Sequence, residues 1–151
     1  MLASPKSSVV KVIGRALLLL AVVFVAACSS PEDKAQNYYE RGMKLLSQQD
    51  YVKASIEFKN ALQIKKDLVG AWRGLSEIEL HNRNYQAVVP ILNTIVELDP
   101  KDVDTRLKLG HFLMAGNALD RALEQANAAF ELDRNNPSVL AFRAAALLKK
   151  L

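Results

Sequence analysis

The sequence predicts an all-α protein, in which antiparallel helical hairpins stack into a right-handed solenoid behind a signal peptide. Three observations favour this fold class. Small and apolar residues recur every 34 positions, the apolar spacing inside each period is helical, and an apolar run at residues 16–25 comes before the first period. Repeats of this length are typical of solenoids, in which each unit packs on its neighbours.

The N-terminal segment has the three parts of a secretory signal peptide. Three basic residues come first, residues 16–25 are uniformly apolar, and Ala26 and Ala27 are small. This order is typical of a segment that directs export. A helix of ten residues reaches about 15 Å, roughly half of the hydrocarbon core of a bilayer, so a transmembrane helix fits poorly.

Cys28, the only cysteine of the chain, directly follows these small residues. It has no second cysteine for an intrachain disulfide and no histidine at metal-ligand spacing. Residues 25–28, Val-Ala-Ala-Cys, resemble the lipobox of bacterial lipoproteins. The resemblance implies a signal peptide at residues 1–27, cleavage before Cys28 and a covalent lipid on the Cys28 sulfur. An ordinary signal sequence with an incidental cysteine, or an uncleaved anchor, is the alternative.

The same resemblance places the mature protein in the bacterial cell envelope, anchored to the membrane by its lipid and facing the periplasm. Ser29, in place of an aspartate, favours the outer membrane over the inner one. Residues 28–34 form the lipidated cysteine and a short tether that already contains a helix start. Ser30 is a suitable N-cap, Pro31 suits the first helical position, and Asp33 has the spacing of a capping box. The first helix should therefore begin within a few residues of the lipid.

The charge of the chain does not indicate a nucleic-acid partner. The whole chain carries +4, but residues 1–27 hold three basic and no acidic residues, so their removal leaves +1. The remaining charges alternate in sign, as on solvated helix faces, and no basic stripe for phosphates is present. The mature chain is long enough for one domain with a core.

The 34-residue period is visible in six columns of residues that share one register. In the small columns, two antiparallel helices of a hairpin can approach closely. The columns are Gly42, Ser76, Gly110 and Ala144; Ala54, Val88 and Ala122; Ala61, Ile95 and Ala129; Leu46, Leu80, Met114 and Leu148; Ile64, Leu98 and Leu132; and Tyr51, Tyr85 and Leu119.

Each period contains two helices separated by a turn. Asp50 and Asn84 are placed to cap the second helices of the first two periods. Pro90 lies near the start of a second helix and predicts a mild kink without a break, whereas Pro100 closes the second period.

Glu79 stands in a column that otherwise contains leucine, at positions 45, 113 and 147. We expect it to pair with Arg83, four residues further along the helix. A buried polar contact with a partner protein is the alternative.

These residues resemble the tetratricopeptide repeat, a 34-residue helix–turn–helix. The resemblance divides the chain into repeats at residues 35–68, 69–102 and 103–136, and into the first helix of an incomplete fourth at 137–151. Lys66 and Arg134 replace the usual closing proline of the first and third repeats. The residues that carry the resemblance are Tyr38, Gly42, Tyr51, Ala54, Phe58 and Ala61; Trp72, Leu75, Tyr85 and Pro100; and Leu109, Gly110, Ala122 and Ala129.

In this family the first helices line a concave groove that accepts a peptide or helix of a partner protein. The mixture of residues projected onto the groove suits a partly apolar peptide. The carboxylate clamp of one family subset is absent, because Tyr39 and Met43 replace its polar residues and Asp104 replaces a basic one. The groove residues implied by the resemblance are Tyr39, Met43, Arg73, Glu77, His81, Leu107, His111 and Met114.

The sequence contains no catalytic constellation and no phosphate loop. His81 and His111 have no evident third ligand, so no metal site is expected. The chain is therefore predicted to be non-enzymatic, without a cofactor besides its lipid and without a small-molecule substrate. Its expected partner is a protein or peptide of the envelope. The alternative is an N-terminal module that positions the catalytic domain of a longer envelope enzyme.

The resemblance extends to repeat lipoproteins that support pilus, outer-membrane protein or exopolysaccharide export, including the PEP-CTERM-associated type. Residues 137–151 are apolar nearly all round, which is typical of a buried helix. We therefore expect the chain to be a piece of a longer repeat protein, or else a partner or a second copy to cover this helix.

Overall fold

The computed structural model describes residues 30–151, which form seven α-helices and no strand. The predicted signal peptide and the lipid site at Cys28 lie outside the described residues. Among the helices of residues 30–151, none is both long and apolar enough to cross a membrane. The helices are α1 (Pro31–Ser47), α2 (Tyr51–Ile64), α3 (Val69–His81), α4 (Tyr85–Leu98), α5 (Val103–Ala115), α6 (Leu119–Leu132) and α7 (Pro137–Lys150).

Each helix packs against the next one along the chain, and short turns join the helices into hairpins α1–α2, α3–α4 and α5–α6. In addition, α1 packs closely on α3 and α5 packs closely on α7, whereas α3 and α5 are not in such close contact. This is the arrangement of a solenoid, in which each hairpin contacts only its neighbours. The predicted all-α solenoid of helical hairpins is confirmed.

The first helix begins as the sequence predicts. The backbone N–H of Asp33 donates to Ser30 Oγ at 3.1 Å, and the Ser30 N–H donates to Asp33 Oδ2 at 2.9 Å. Pro31 follows at the first helical position. These reciprocal hydrogen bonds form a capping box, which satisfies two backbone N–H groups at the helix end.

The predicted caps of the second helices are right for Asp50 and wrong for Asn84. Asp50 Oδ1 accepts from the Lys53 N–H at 3.2 Å and caps α2. Asn84 makes no such bond at the start of α4, and its side chain is held by Glu79, whose Oε2 accepts from Asn84 Nδ2 at 2.8 Å. The predicted pairing of Glu79 with Arg83 is also wrong. Helix α3 ends at His81, so Arg83 lies outside the helix that an i, i+4 pair requires.

Arg83 instead occupies a left-handed turn that recurs in every hairpin. Its φ is 58°, and Gln49 and Asn117, one period before and after it, have φ of 61° and 60°. Among residues 30–151, these three are the only positions with positive φ. Further along, α4 runs through Pro90 without a break, as predicted.

Phe58 of α2 fills the junction between the first two hairpins, and its ring is fully buried. A Cβ atom at Gly42 of α1 would lie 2.6 Å from this ring, and one at Gly74 of α3 would lie 2.4 Å from it. Two helices can therefore close on the ring only because both positions lack side chains.

At the last junction, where α7 packs on the third hairpin, the buried aromatic ring comes from the following helix. Buried Ala126 of the third hairpin stands two periods after Phe58, so this position of the pattern supplies no ring here. Phe142 of α7 is buried here instead, and a Cβ at Gly110 would lie 2.4 Å from its ring. The ring that fills the last junction therefore comes from α7, the first helix of the next repeat. At the first junction it comes from α2, a second helix.

Helix α7 buries Val139, Phe142 and Ala146 but exposes its opposite face. Ala144, predicted to be a close-contact position, is exposed because no described helix packs on that face. Leu148 on the same face is 71 % exposed.

Candidate functional site

The first helices α1, α3 and α5 carry all eight residues that the sequence places in a groove. Between α3 and α5 lies a cleft of about 300 Å³. Buried Leu92 and Ile95 of α4 line it, together with polar side chains of the two first helices. We call the surface formed by the accessible residues of α1, α3 and α5 the first-helix groove.

Arg73 of α3 crosses this cleft and binds the start of α5. Its Nη2 lies 2.7 Å from Asp102 Oδ2 and 3.5 Å from Asp99 Oδ2, and its Nη1 donates to Thr105 Oγ1 at 3.4 Å. The predicted groove residue is thus held in place by carboxylates of its own chain. Much of its charge is neutralised before any partner arrives.

Asp102 is the centre of this polar cluster. Its Oδ1 accepts from the Thr105 N–H at 3.0 Å and caps α5, and its Oδ2 accepts from the Thr105 hydroxyl. Partial burial disfavours the Asp102 carboxylate, but the Thr105 hydrogen bonds and the charge of Arg73 outweigh it and hold the Asp102 pKa below its ordinary value.

Leu107 is not a groove residue, contrary to the prediction. It is 9 % exposed and belongs to the core cluster that contains Val139 and Phe142. Its column explains the difference. Tyr39, two periods earlier, lies against Gly70 at the start of α3, and Arg73 binds the start of α5. Since residues in this column reach the next first helix, an apolar member is buried there.

The two histidines of the groove are exposed and lie against aromatic rings. The His81 ring stacks on Tyr51 with 3.9 Å between ring centroids, and the His111 centroid lies 4.4 Å from that of Phe142. Within residues 30–151, no three His, Cys, Asp or Glu side chains are placed to hold a metal ion. The histidines therefore present flat, partly polar surfaces on the first helices α3 and α5.

The remaining groove residues differ in how far a partner could reach them. Met43 is 42 % exposed, Glu77 is exposed, and Tyr39 and Met114 are half-buried. The accessible surface therefore combines apolar, aromatic and charged groups.

Sequence reasoning missed Lys108, an exposed residue that lines the cleft opposite Glu77 along with Ser76 and Thr105. Lys108 stands one period after Gly74 and one period before Phe142, and both of those residues are buried. The 34-residue pattern therefore gave no signal that Lys108 would be exposed at the cleft.

Comparison with protein families and solved structures agrees with this architecture. Residues 79–146 match the family model of the tetratricopeptide repeat. No curated protein matches the sequence. The fold is that of tetratricopeptide-repeat solenoids, as the solved structures show.

Three similar structures illustrate the match. The Yersinia enterocolitica type III secretion chaperone SycD, in complex with a peptide of the translocator YopD, is 19 % identical; the match covers 82 % of this chain and 98 % of SycD, with a TM-score of 0.64. The first repeat domain of Spaghetti (RPAP3), bound to an HSP90 peptide, is 16 % identical over 78 % of this chain and 93 % of its own, with a TM-score of 0.63.

The third structure is YrrB, described as a repeat protein with an unusual peptide-binding site. It is 24 % identical; the match covers 77 % of this chain and 60 % of YrrB, with a TM-score of 0.64. At these identities the likeness establishes the fold.

Proposed function

We propose that this chain is a non-enzymatic scaffold that holds a peptide or helix of a partner protein in the first-helix groove. The observation that carries the proposal is the cleft between α3 and α5, where accessible polar side chains surround buried apolar ones. Similar solenoids, SycD and RPAP3, have been solved with peptides bound. Stacked hairpins offer an extended surface suited to this use.

The chemistry of the groove favours a partly apolar peptide of low net charge. Arg73 is paired with Asp102, so its cationic charge is largely satisfied within the chain. The accessible charges of the cleft, Glu77 and Lys108, are opposite in sign. Met43 adds a flexible apolar contact, which adapts to differently shaped side chains. A strongly charged peptide would leave some of its charges unpaired in this setting.

We further propose that the scaffold is a lipoprotein of the bacterial envelope, anchored through Cys28 and facing the periplasm at the outer membrane. Residues 25–28 support the anchor by their resemblance to a lipobox. Because α1 begins at Pro31, the solenoid starts three residues after Cys28, which would hold it close to the bilayer. Its role would then be to position a partner during assembly or export of a pilus, an outer-membrane protein or an exopolysaccharide.

The alternative function, a module that positions the catalytic domain of a longer envelope enzyme, uses the same fold. It differs in that the repeats would only position a catalytic domain of the same polypeptide.

Site-specific photo-crosslinking in the native host tests the groove. A photoreactive amino acid replaces Glu77 in the groove or, as a matched control, the exposed Glu124 on second helix α6. We expect one defined protein adduct from position 77 and none from position 124. Equal adducts from both positions, or none from either, would contradict the proposal.

A further inference from the structure

One cleft of the described region lies outside the first-helix groove. It has a volume of about 620 Å³ and lies between the first two hairpins, lined by residues of α2, α3 and α4. Leu62, Trp72 and Ile91 give it an apolar wall. Trp72 Nε1 donates to the Lys66 carbonyl oxygen at 2.8 Å, so the indole requires no further polar partner. A cleft of this size and character is typical of a binding site.

A second cleft of about 310 Å³ continues the first one towards the start of α2. The two clefts share Lys59 and Glu79 in their linings. The second one is lined by Val52 and Ile56, which are 75 % and 53 % exposed. We call the joined clefts the outer furrow. It follows α2 over its 14 residues, a length of about 20 Å.

The charges beside the outer furrow are mainly positive. Lys59 and Lys66 line it, are exposed, and have no ion-pair partner among residues 30–151. Glu79, the one carboxylate in its lining, already accepts a hydrogen bond from Asn84. The furrow therefore combines an apolar wall with two available cations.

We infer that the outer furrow binds an amphipathic helix of a partner protein, apolar on one face and acidic beside that face. The apolar face covers Val52, Ile56 and the wall around Trp72, and its carboxylates pair with Lys59 and Lys66. About 14 residues of helix match the length of the furrow. Exposed apolar residues in such a row are typical of a protein-interaction surface. This site is separate from the first-helix groove, so the chain could hold two partner segments at once.

Trp72 provides a direct readout, because it is the only tryptophan of the chain and lines the furrow. The probe is a tryptophan-free synthetic helix of about 14 residues with a leucine face and flanking glutamates. A matched peptide carries lysine at each glutamate position. Both are titrated into the purified full chain while Trp72 emission is recorded. We expect saturable binding of the acidic peptide, at least about 10-fold tighter than that of the basic one.

Two variants locate the binding. Lys59→Glu combined with Lys66→Glu changes only exposed side chains and should reverse the preference between the two peptides, with an unchanged circular dichroism spectrum. Lys108→Glu, in the first-helix groove, should leave the affinity unaltered. Loss of binding in Lys108→Glu would place the peptide in the groove and overturn the inference, without affecting the function proposed for that groove.

Other occupants would give different results, each of which overturns the inference. Equal affinity for both peptides would show that Lys59 and Lys66 do not select an acidic partner. Saturation of the Trp72 signal by laurate below its micelle concentration, with no response to the acidic peptide, would assign the furrow to a fatty acid. Self-association of the chain in sedimentation equilibrium, abolished by the double lysine variant, would assign it to a second copy.

Discussion

Arg73 of α3 and Asp102, the N-cap residue of α5, form an ion pair with 2.7 Å between Nη2 and Oδ2. The pair links the first helices of two successive hairpins on the side that carries the first-helix groove. Asp102 is the less exposed partner, at 11 % of its side-chain surface. One carboxylate therefore caps a helix and fixes a groove residue at the same time.

Asp102→Asn should destabilise the fold by about 1 kcal/mol, because asparagine can still cap α5 but lacks the negative charge that pairs with Arg73 and favours the start of the helix. The shift is measured as a lower urea midpoint at neutral pH. Glu131→Gln is the matched control, since its ion pair with Arg134 is exposed on both sides. We expect the control to change stability by less than about 0.5 kcal/mol. Equal effects of the two substitutions would contradict the role given to Asp102.

The effect of Asp102→Asn should depend on pH. The folded chain lowers the pKa of Asp102, so the carboxylate contributes stability that is present above its unfolded pKa of about 3.9. This contribution is lost as the pH falls through the lower, folded pKa. The difference in unfolding free energy between the wild type and Asp102→Asn should therefore shrink below about pH 4. Urea titrations at pH 7 and in acid measure it, and a constant difference would refute the linkage.

Gly42→Ala should cost about 1–3 kcal/mol of stability, because the added methyl group would lie 2.6 Å from the buried Phe58 ring. Gly116→Ala is the control. Its nearest neighbour would be 3.5 Å away, and its φ of −80° suits any residue. Thermal unfolding compares the two variants. If both unfold at the wild-type temperature, the junction is not as closely packed as the structure indicates.

The sequence was sufficient to predict the hairpins, because the period repeats in columns that face other helices of the chain. Ala54, Val88 and Ala122 share one such column, and all three are fully buried. The start of α1 was predictable for a local reason, since Ser30 and Asp33 need only their own backbone to form the capping box.

Where the structure differs from the prediction, the difference depends on neighbouring side chains that the spacing of residues in the sequence does not reveal. The Asn84 side chain does not cap α4, and its amide nitrogen donates instead to Glu79, five residues earlier. Leu107 is buried in a core cluster to which the next first helix contributes Val139 and Phe142. The 34-residue pattern was enough to predict which helices form the groove. The accessibility of each side chain on them also depends on the residues of the next first helix.

The proposed lipid anchor predicts the behaviour of one variant. Cys28→Ala should remain as an unprocessed precursor or become soluble, because the residue that would receive the lipid is gone. Membrane fractionation with radiolabelled palmitate, compared with the wild type and with Ser29→Ala, measures this. A Cys28→Ala protein of mature size that still carries label in the membrane fraction would refute the lipobox assignment.

The most direct test of the central proposal is to map where the partner binds. The segment recovered by crosslinking at position 77 is synthesised as a peptide and titrated into the isotopically labelled chain, and its effect is read from amide chemical shifts. We predict saturable shifts concentrated on α1, α3 and α5, including Met43, Glu77 and Lys108, and weaker binding by Glu77→Arg. Shifts confined to α2, α4 and α6, with unchanged affinity in Glu77→Arg, would contradict a peptide-binding role for the first-helix groove.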